Sequence, residues 1–217
     1  TTMLLHDGWT PVGDNATIAL RTGDVLRGDP PLTGMPSTSN TITDEDISHP
    51  GPFEVILAAL PYALFGPAGL LVTVALVNAA ALVLAVAIGW RRGGPPLAVA
   101  ITATGLLLCW SLGTTVIRDP LNSHIELLPW FTLVLLCWDI RLGRWRSLPI
   151  AVVFGSWVAQ AHVVYVPMTA VLGIGTAVLC FVDDRRREPK ARRRFARGRT
   201  RALWWSLAIV ARPCGIR

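Results

Sequence analysis

Three long stretches of the chain, positions 55–90, 93–117 and 147–182, contain no Asp, Glu, Lys or Arg. An uncharged apolar run of about 18 residues or more reads as a helix able to cross a hydrocarbon core of roughly 30 Å. The pattern predicts spans over 68–89, 97–117, 127–140, 148–162 and 166–182. The third is short, and "QAHVVYVP" divides the last two. "PFEVILAALPYALFG" (52–66) is apolar too, but Pro61 interrupts it. At about 1.5 Å per residue it is too short to cross, so it should lie along the membrane surface or lead into the next span.

Ahead of these runs the pattern is polar. Residues 1–54 hold eight acids and two arginines, with turn-forming stretches such as "GDPPLTGMPSTSN" and "HPGP". Between Asp14 and Arg27 there is no proline, and a helix is predicted there. Asp14 is placed to cap it, and Gly28 with Pro30 and Pro31 to end it. Ala16, Leu20, Gly23 and Arg27 follow the helical spacing, so its amphipathicity is moderate. The fold class that follows is all-α: a polytopic membrane helix bundle of about five transmembrane helices, with an external N-terminal loop carrying short surface helices. Its parts are an external loop (1–52), the bundle (53–182) and a basic tail with a short apolar end (183–217).

Composition strengthens this picture. The mean hydropathy is +0.49 and only 16% of residues are charged, against about 25% in soluble domains. Charge then orients the bundle. Arg91 and Arg92, the Arg141, Arg144 and Arg146 group, and ten basic residues in 183–201 alternate with loops poor in lysine and arginine. Basic loops stay cytoplasmic, so residues 1–52, the 118–126 loop and the break near His162 share the external face. Beside a membrane the basic tail fits anionic lipid or topology, and no nucleic-acid partner is expected. Cys109, Cys137, Cys180 and Cys214 have neither metal-ligand nor disulfide-framework spacing. The chain opens without Met and closes on "LWWSLAIVARPCGIR". Both ends read as cut, and a longer parent is expected.

Unusual polar residues gather on the external side. Asp14, Asp24 and His49 come from the first segment, Asn122, His124 and Glu126 from the second loop, and Gln160, His162 and Tyr165 from the third. Any one of them alone is most simply a solvated loop residue. Supply from three separate loops makes a site, because polar groups at a membrane edge cost a few kcal/mol unless paired or hydrated.

The stretches "GDNATIALRTGDVLRGDPPLTG" and "HPGPFEVILAALPYALFGPAGL" resemble the first external loop of membrane glycosyltransferases of the GT-C fold. In that superfamily a GD motif opens a surface helix, and a proline-rich stretch, a short apolar helix ending in "LFG" and the next span follow. Protein O-mannosyltransferases and the aminoarabinose transferases of lipid A share this layout. The segment from "DPLNSHIELLPWF" to "QAHVVYVP" is similar to multi-pass membrane proteins of actinobacteria assigned to the same superfamily.

The resemblance covers residues 8 to about 180, and its order of elements carries more than any single motif. It implies a cell-membrane enzyme that transfers a sugar, with inversion, from a polyprenyl-phosphate donor to an acceptor hydroxyl on the external side. Asp14, in the GD motif, would be the base. Asp24 would be either a supporting acid behind the base or an acceptor-binding acid, and His49, Asn122, His124, Gln160 and His162 would line the substrate site. No cofactor and no metal are implied, since Asn15 stands where many relatives carry a second acid. The partners are a lipid-linked sugar donor and membrane lipids. A first span before residue 1, further spans and a C-terminal external domain are missing from the pattern, so the chain alone is expected to fall short of full activity. The competing reading is a non-enzymatic multi-pass protein, an assembly partner or lipid carrier, in which Asp14 is only a helix cap. A transporter would need charged residues in mid-span, and the runs have none.

Overall fold

The computed structural model describes residues 9–36, 47–185, 199–200 and 202–206. Within these the protein is all-α. Seven helical elements are bounded, with further helical turns at 199–200 and 202–206, and the only strand-like feature is an isolated bridge between Pro36 and Ser48. Most of the basic tail, the apolar end with Cys214, and residues 37–46 lie outside the described residues.

Helix α1 is Asp14–Arg27. Gly13, at φ 58°, is its N-cap, and the Gly13 carbonyl accepts from the N–H groups of Ala16 and Thr17. Asp14 is therefore the first helical residue and makes no capping bond, which corrects the capping role read from sequence. The buried face is also not the predicted stripe. Leu20 is exposed, while Ile18, Ala19 and Thr22 are buried, because α1 turns that side onto Met35, Val55, Ala58 and Leu70. Gly28 ends the helix as expected, in a left-handed conformation that L side chains resist.

Helix α2 is Phe53–Phe65, with Pro61 inside it. It packs beneath α1 and against the start of α3, Ala68–Arg118. A Cβ at Gly69 would fall 2.3 Å from the Pro61 carbonyl oxygen, so α2 and α3 approach this closely only with glycine there. Helix α3 is not one rod. At Gly94 (φ 66°), followed by Pro95 and Pro96, it reverses into two arms. Gly105 lies against Leu82, Gly89 lies against Ile101, and Asn78 Nδ2 donates to the Ile117 carbonyl at 2.9 Å. The first arm covers the predicted segment 68–89 and "WRRGGPP" is the hinge, while the second arm follows 97–117 only until Gly113 (φ 79°) breaks its helical backbone.

Helix α4 is Leu127–Arg141, α5 is Leu148–Ala161 and α6 is Tyr165–Arg185. Two of the helices, α3 and α6, are long and apolar enough to cross a membrane by length and composition, not the five expected. Helices α4 and α5 have 15 and 14 residues, a rise of about 21–23 Å. Glu126 precedes the first of these helices and Asp139 interrupts its apolar run near the end, while Pro149 lies in the first turn of the second and His162 closes it. Their apolarity serves packing as well: α4 contacts α3, α5 and α6, and buries Leu128, Thr132, Leu133, Leu136 and Ile140.

One buried carboxylate joins three segments at the Arg-rich end. Asp139 on α4 has no solvent exposure. Its Oδ1 accepts from Arg92 Nε at the α3 hinge, its carbonyl from Arg92 Nη2 at 2.7 Å, and its Oδ2 from Ser147 Oγ. Arg144 Nε stands 3.9 Å from Oδ2. Removing one member of a buried pair leaves an uncompensated charge, at a cost of about 3–5 kcal/mol. Arg92→Met should therefore lower the thermal unfolding temperature sharply in detergent. Adding Asp139→Asn should restore part of the loss; a double variant no more stable than Arg92→Met would remove the charge argument.

Candidate functional site

The opposite end of the bundle collects polar side chains from four segments. His49 is held by a short backbone ladder: Gly34 N–H donates to the His49 carbonyl at 2.9 Å, and His49 N–H to Met35 at 2.8 Å. Arg21 keeps this ladder in place by donating to the carbonyls of Thr33 and Gly34. The His49 ring is buried and sits 4.5 Å from the His162 ring, tilted by 32°. His49 Nδ1 accepts from Val163 N–H at 3.3 Å, so its proton resides on Nε2. Burial, and then the His162 charge, lowers the His49 pKa; burial lowers that of His162.

Gln160 and Asn122 are tied to the same place. The Gln160 carbonyl accepts from Gly51 N–H at 3.0 Å, and its side chain lies where a Cβ on Gly51 would be, 2.3 Å away. Gln160 Nε2 donates to Ser156 Oγ. Buried Asn122 donates to the Ala161 carbonyl at 2.9 Å and so bonds the loop before α4 to the end of α5. His49, Asn122, Gln160 and His162 therefore meet around residues 160–163.

His124 belongs to a second group, centred on Asp119. Asp119 Oδ2 faces His124 Nδ1 at 3.0 Å, and Oδ1 accepts from Asn15 Nδ2 at 2.9 Å and from Leu121 N–H at 3.1 Å. The Asn15 bond, made across 104 residues, pins the first turn of α1 to the loop between α3 and α4. Beside it lies a cavity of about 390 Å³ lined by Trp9, Asn15, Thr114, Thr115, Arg118 and Asp119, among others. Asp14, next to Asn15, is exposed and does not line this cavity. Asp24 pairs with Arg27 on the exposed side of α1 and joins neither group.

Two further acids are buried nearby. Glu54 opens α2, and Glu126 immediately precedes α4 with no exposure and no hydrogen-bond partner for either carboxyl oxygen. Burial and the Asp119 charge push the Glu54 pKa up to about 8. Burial and the Glu54 charge push that of Glu126 up to about 10. Both are held neutral at pH 7, the form an apolar site tolerates. Among the described residues no three His, Cys, Asp or Glu converge in a way that could hold a metal ion.

Glu54 and Asp119 were not singled out from sequence, and Asn15 was noted only as standing where a second acid was expected. Asp119 carried one signal, as the carboxylate in "RDP" where an uncharged run ends, and Glu54 another, as a lone acid opening an apolar helix. Nothing local marks the bond Asn15 makes, whose partner is 104 residues away.

The raised acids make stability depend on pH. Each ionises near its ordinary value when unfolded but stays protonated when folded. Their contribution is thus full below about pH 4.5 and declines until the folded pKa, about 8 for Glu54 and about 10 for Glu126, is passed. The unfolding temperature should fall between pH 7 and pH 10, and Glu126→Gln should remove most of that slope. An undiminished slope in the variant would show that other groups cause it. No protein-family model, no curated protein and no solved structure matches this chain.

Proposed function

We propose that the chain is part of a polytopic membrane glycosyltransferase of the GT-C type, moving a sugar from a polyprenyl-phosphate donor to an acceptor hydroxyl at the external face. In this reading α4 and α5 complete, with the two arms of α3 and with α6, the five membrane segments expected from sequence. Exposed Val83, Leu106, Leu107, Val171, Ile174 and Val178 suit a lipid-facing surface. Exposed Trp90, Trp204 and Trp205 stand beside basic residues, as interfacial tryptophans do.

The observation that carries the reading is the cavity against the first turn of α1, which joins a cation, Arg118, to a carboxylate, Asp119, at the end of a span-length arm. Asp14 takes the proton of the acceptor hydroxyl as that oxygen bonds the anomeric carbon. The bond from that carbon to the donor phosphate oxygen breaks, and Arg118 balances the charge of the departing polyprenyl phosphate. Asn15 and Asp119 are positioning residues, since their bond sets the turn that bears Asp14. Asp24, exposed and paired with Arg27, keeps only the acceptor-binding role that the resemblance implies.

One observation favours a second reading, a non-enzymatic assembly partner or lipid carrier. Asp14 is exposed and does not line that cavity. The two readings separate on Asp14→Asn in a full-length parent that retains this segment. The amide keeps the size but cannot take a proton, so transfer should fall ~10²–10⁴-fold with donor binding retained. Near-normal turnover at matched protein levels would end the catalytic role.

Topology has its own test, in a background without native cysteines. Leu32→Cys should react with an impermeant maleimide on intact cells, and Leu142→Cys only after permeabilisation. Both positions are exposed, so reaction of both from one side would sink the orientation.

A further inference from the structure

The largest cavity described lies at the other end of the molecule and plays no part in the proposed transfer. It has a volume of about 640 Å³ between α4, α5 and α6. Its walls are apolar and its width comes from small residues: Ala151 and Gly155 on α5, Gly173 and Ala177 on α6. Along α6 it extends from Thr169 to Phe181, a rise of about 18 Å. That is close to the thickness of a single leaflet, half of a roughly 30 Å core. The Thr169 hydroxyl, towards the external end, has no partner. At the Arg-rich end Arg199 lines the cavity, its guanidinium 3.9 Å from Asp184. Arg141 and Arg144 flank the same end of α4.

We propose that this cavity is a binding slot for one anionic phospholipid of the inner leaflet, with an acyl chain between α4, α5 and α6 and the phosphate at Arg199. Length selects the occupant: the slot is about one acyl chain deep. Charge selects the headgroup: among the described residues at this end the arginines outnumber their partners Asp139, Asp183 and Asp184, and each basic residue in excess near a membrane surface favours an anionic lipid. The donor lipid of the proposed transfer acts from the external leaflet and enters from the other end, so the slot is separate from that reaction. The proposal rests on the membrane reading and not on the transferase reading.

The test uses the whole chain in nanodiscs of equal phosphatidylglycerol and phosphatidylcholine, with native mass spectrometry of the lipid retained after release. The wild type should keep one phosphatidylglycerol per chain. Gly173→Phe puts a ring into the slot at a position where a Cβ meets nothing within 4 Å, and should keep none while its circular dichroism is unchanged. Arg199→Gln, a surface change, should keep the lipid with about fivefold lower preference for the anionic headgroup. Equal retention in Gly173→Phe, no preference between the two lipids, or no retained lipid would each overturn the slot. So would protection of Cys137 and Cys180, which line it, from N-ethylmaleimide in lipid-free detergent, since the chain itself would then fill the space. A chain that stays soluble and never enters nanodiscs overturns the membrane reading itself, an outcome distinct from failure of the slot in an inserted chain.

Discussion

The fold depends on a carboxylate that cannot be left alone. Asp139 is sealed from solvent inside α4 and is stable there only because Arg92, Ser147 and Arg144 converge on it. Arg92 belongs to the α3 hinge, and Arg144 and Ser147 to the turn before α5, so one charge fixes the ends of three segments. It also sets the rotation of α4. With Asp139 turned inward, Thr132, two turns away, faces α3 and donates to the Ala81 carbonyl at 2.9 Å. Leu128 and Leu136 then fall on the same buried side.

The other end of α4 reverses this logic. Glu126 stands 13 residues before Asp139, about 20 Å along the axis, and is equally buried but has no cation and no donor. It stays buried by remaining protonated. Around it, the ties are hydrogen bonds between side chain and backbone: Asn122 to Ala161, Val163 to His49, Arg21 to the Thr33–Gly34 carbonyls. The Arg-rich end is thus closed by one fully buried carboxylate and its arginines, whereas at the other end the buried acids Glu54 and Glu126 stay neutral and the charged groups, Arg118 and Asp119, keep contact with solvent beside the cavity.

How far this was legible from sequence follows from the range of each interaction. Elements held by local rules were readable: the Gly28 stop, the Gly-Pro-Pro hinge of α3 and the short α2 each follow from residues within a few positions. Span length was less so. An uncharged run shows that a segment avoids water, but not whether lipid or protein covers it, and α4 is largely covered by protein. Least legible were the partners of the polar residues. The convergence of His49 with His162 was within reach, since both were expected on one face. The bond from Asn15 to Asp119 depends on how α1 lies over the second loop, which no local pattern encodes.

The contrast between Asp14 and its neighbour turns on the same geometry. Successive helical residues point about 100° apart, so when Asn15 faces Asp119, Asp14 must face elsewhere, and here it faces outward. A base on that turn meets its acceptor from the open side, while Arg118 and Asp119 look into the cavity behind it. An inverting displacement needs the attacking and leaving oxygens on opposite faces of one anomeric carbon, so an acceptor activated by Asp14 and a phosphate held at Arg118 would have to meet at the edge of the first turn of α1, where both residues are exposed. Exposure of Asp14 therefore conflicts with catalysis only if the acceptor must also be enclosed by these residues. An acceptor presented by another part of a longer chain, or by a second molecule, would cover Asp14 on binding and exclude water at that moment.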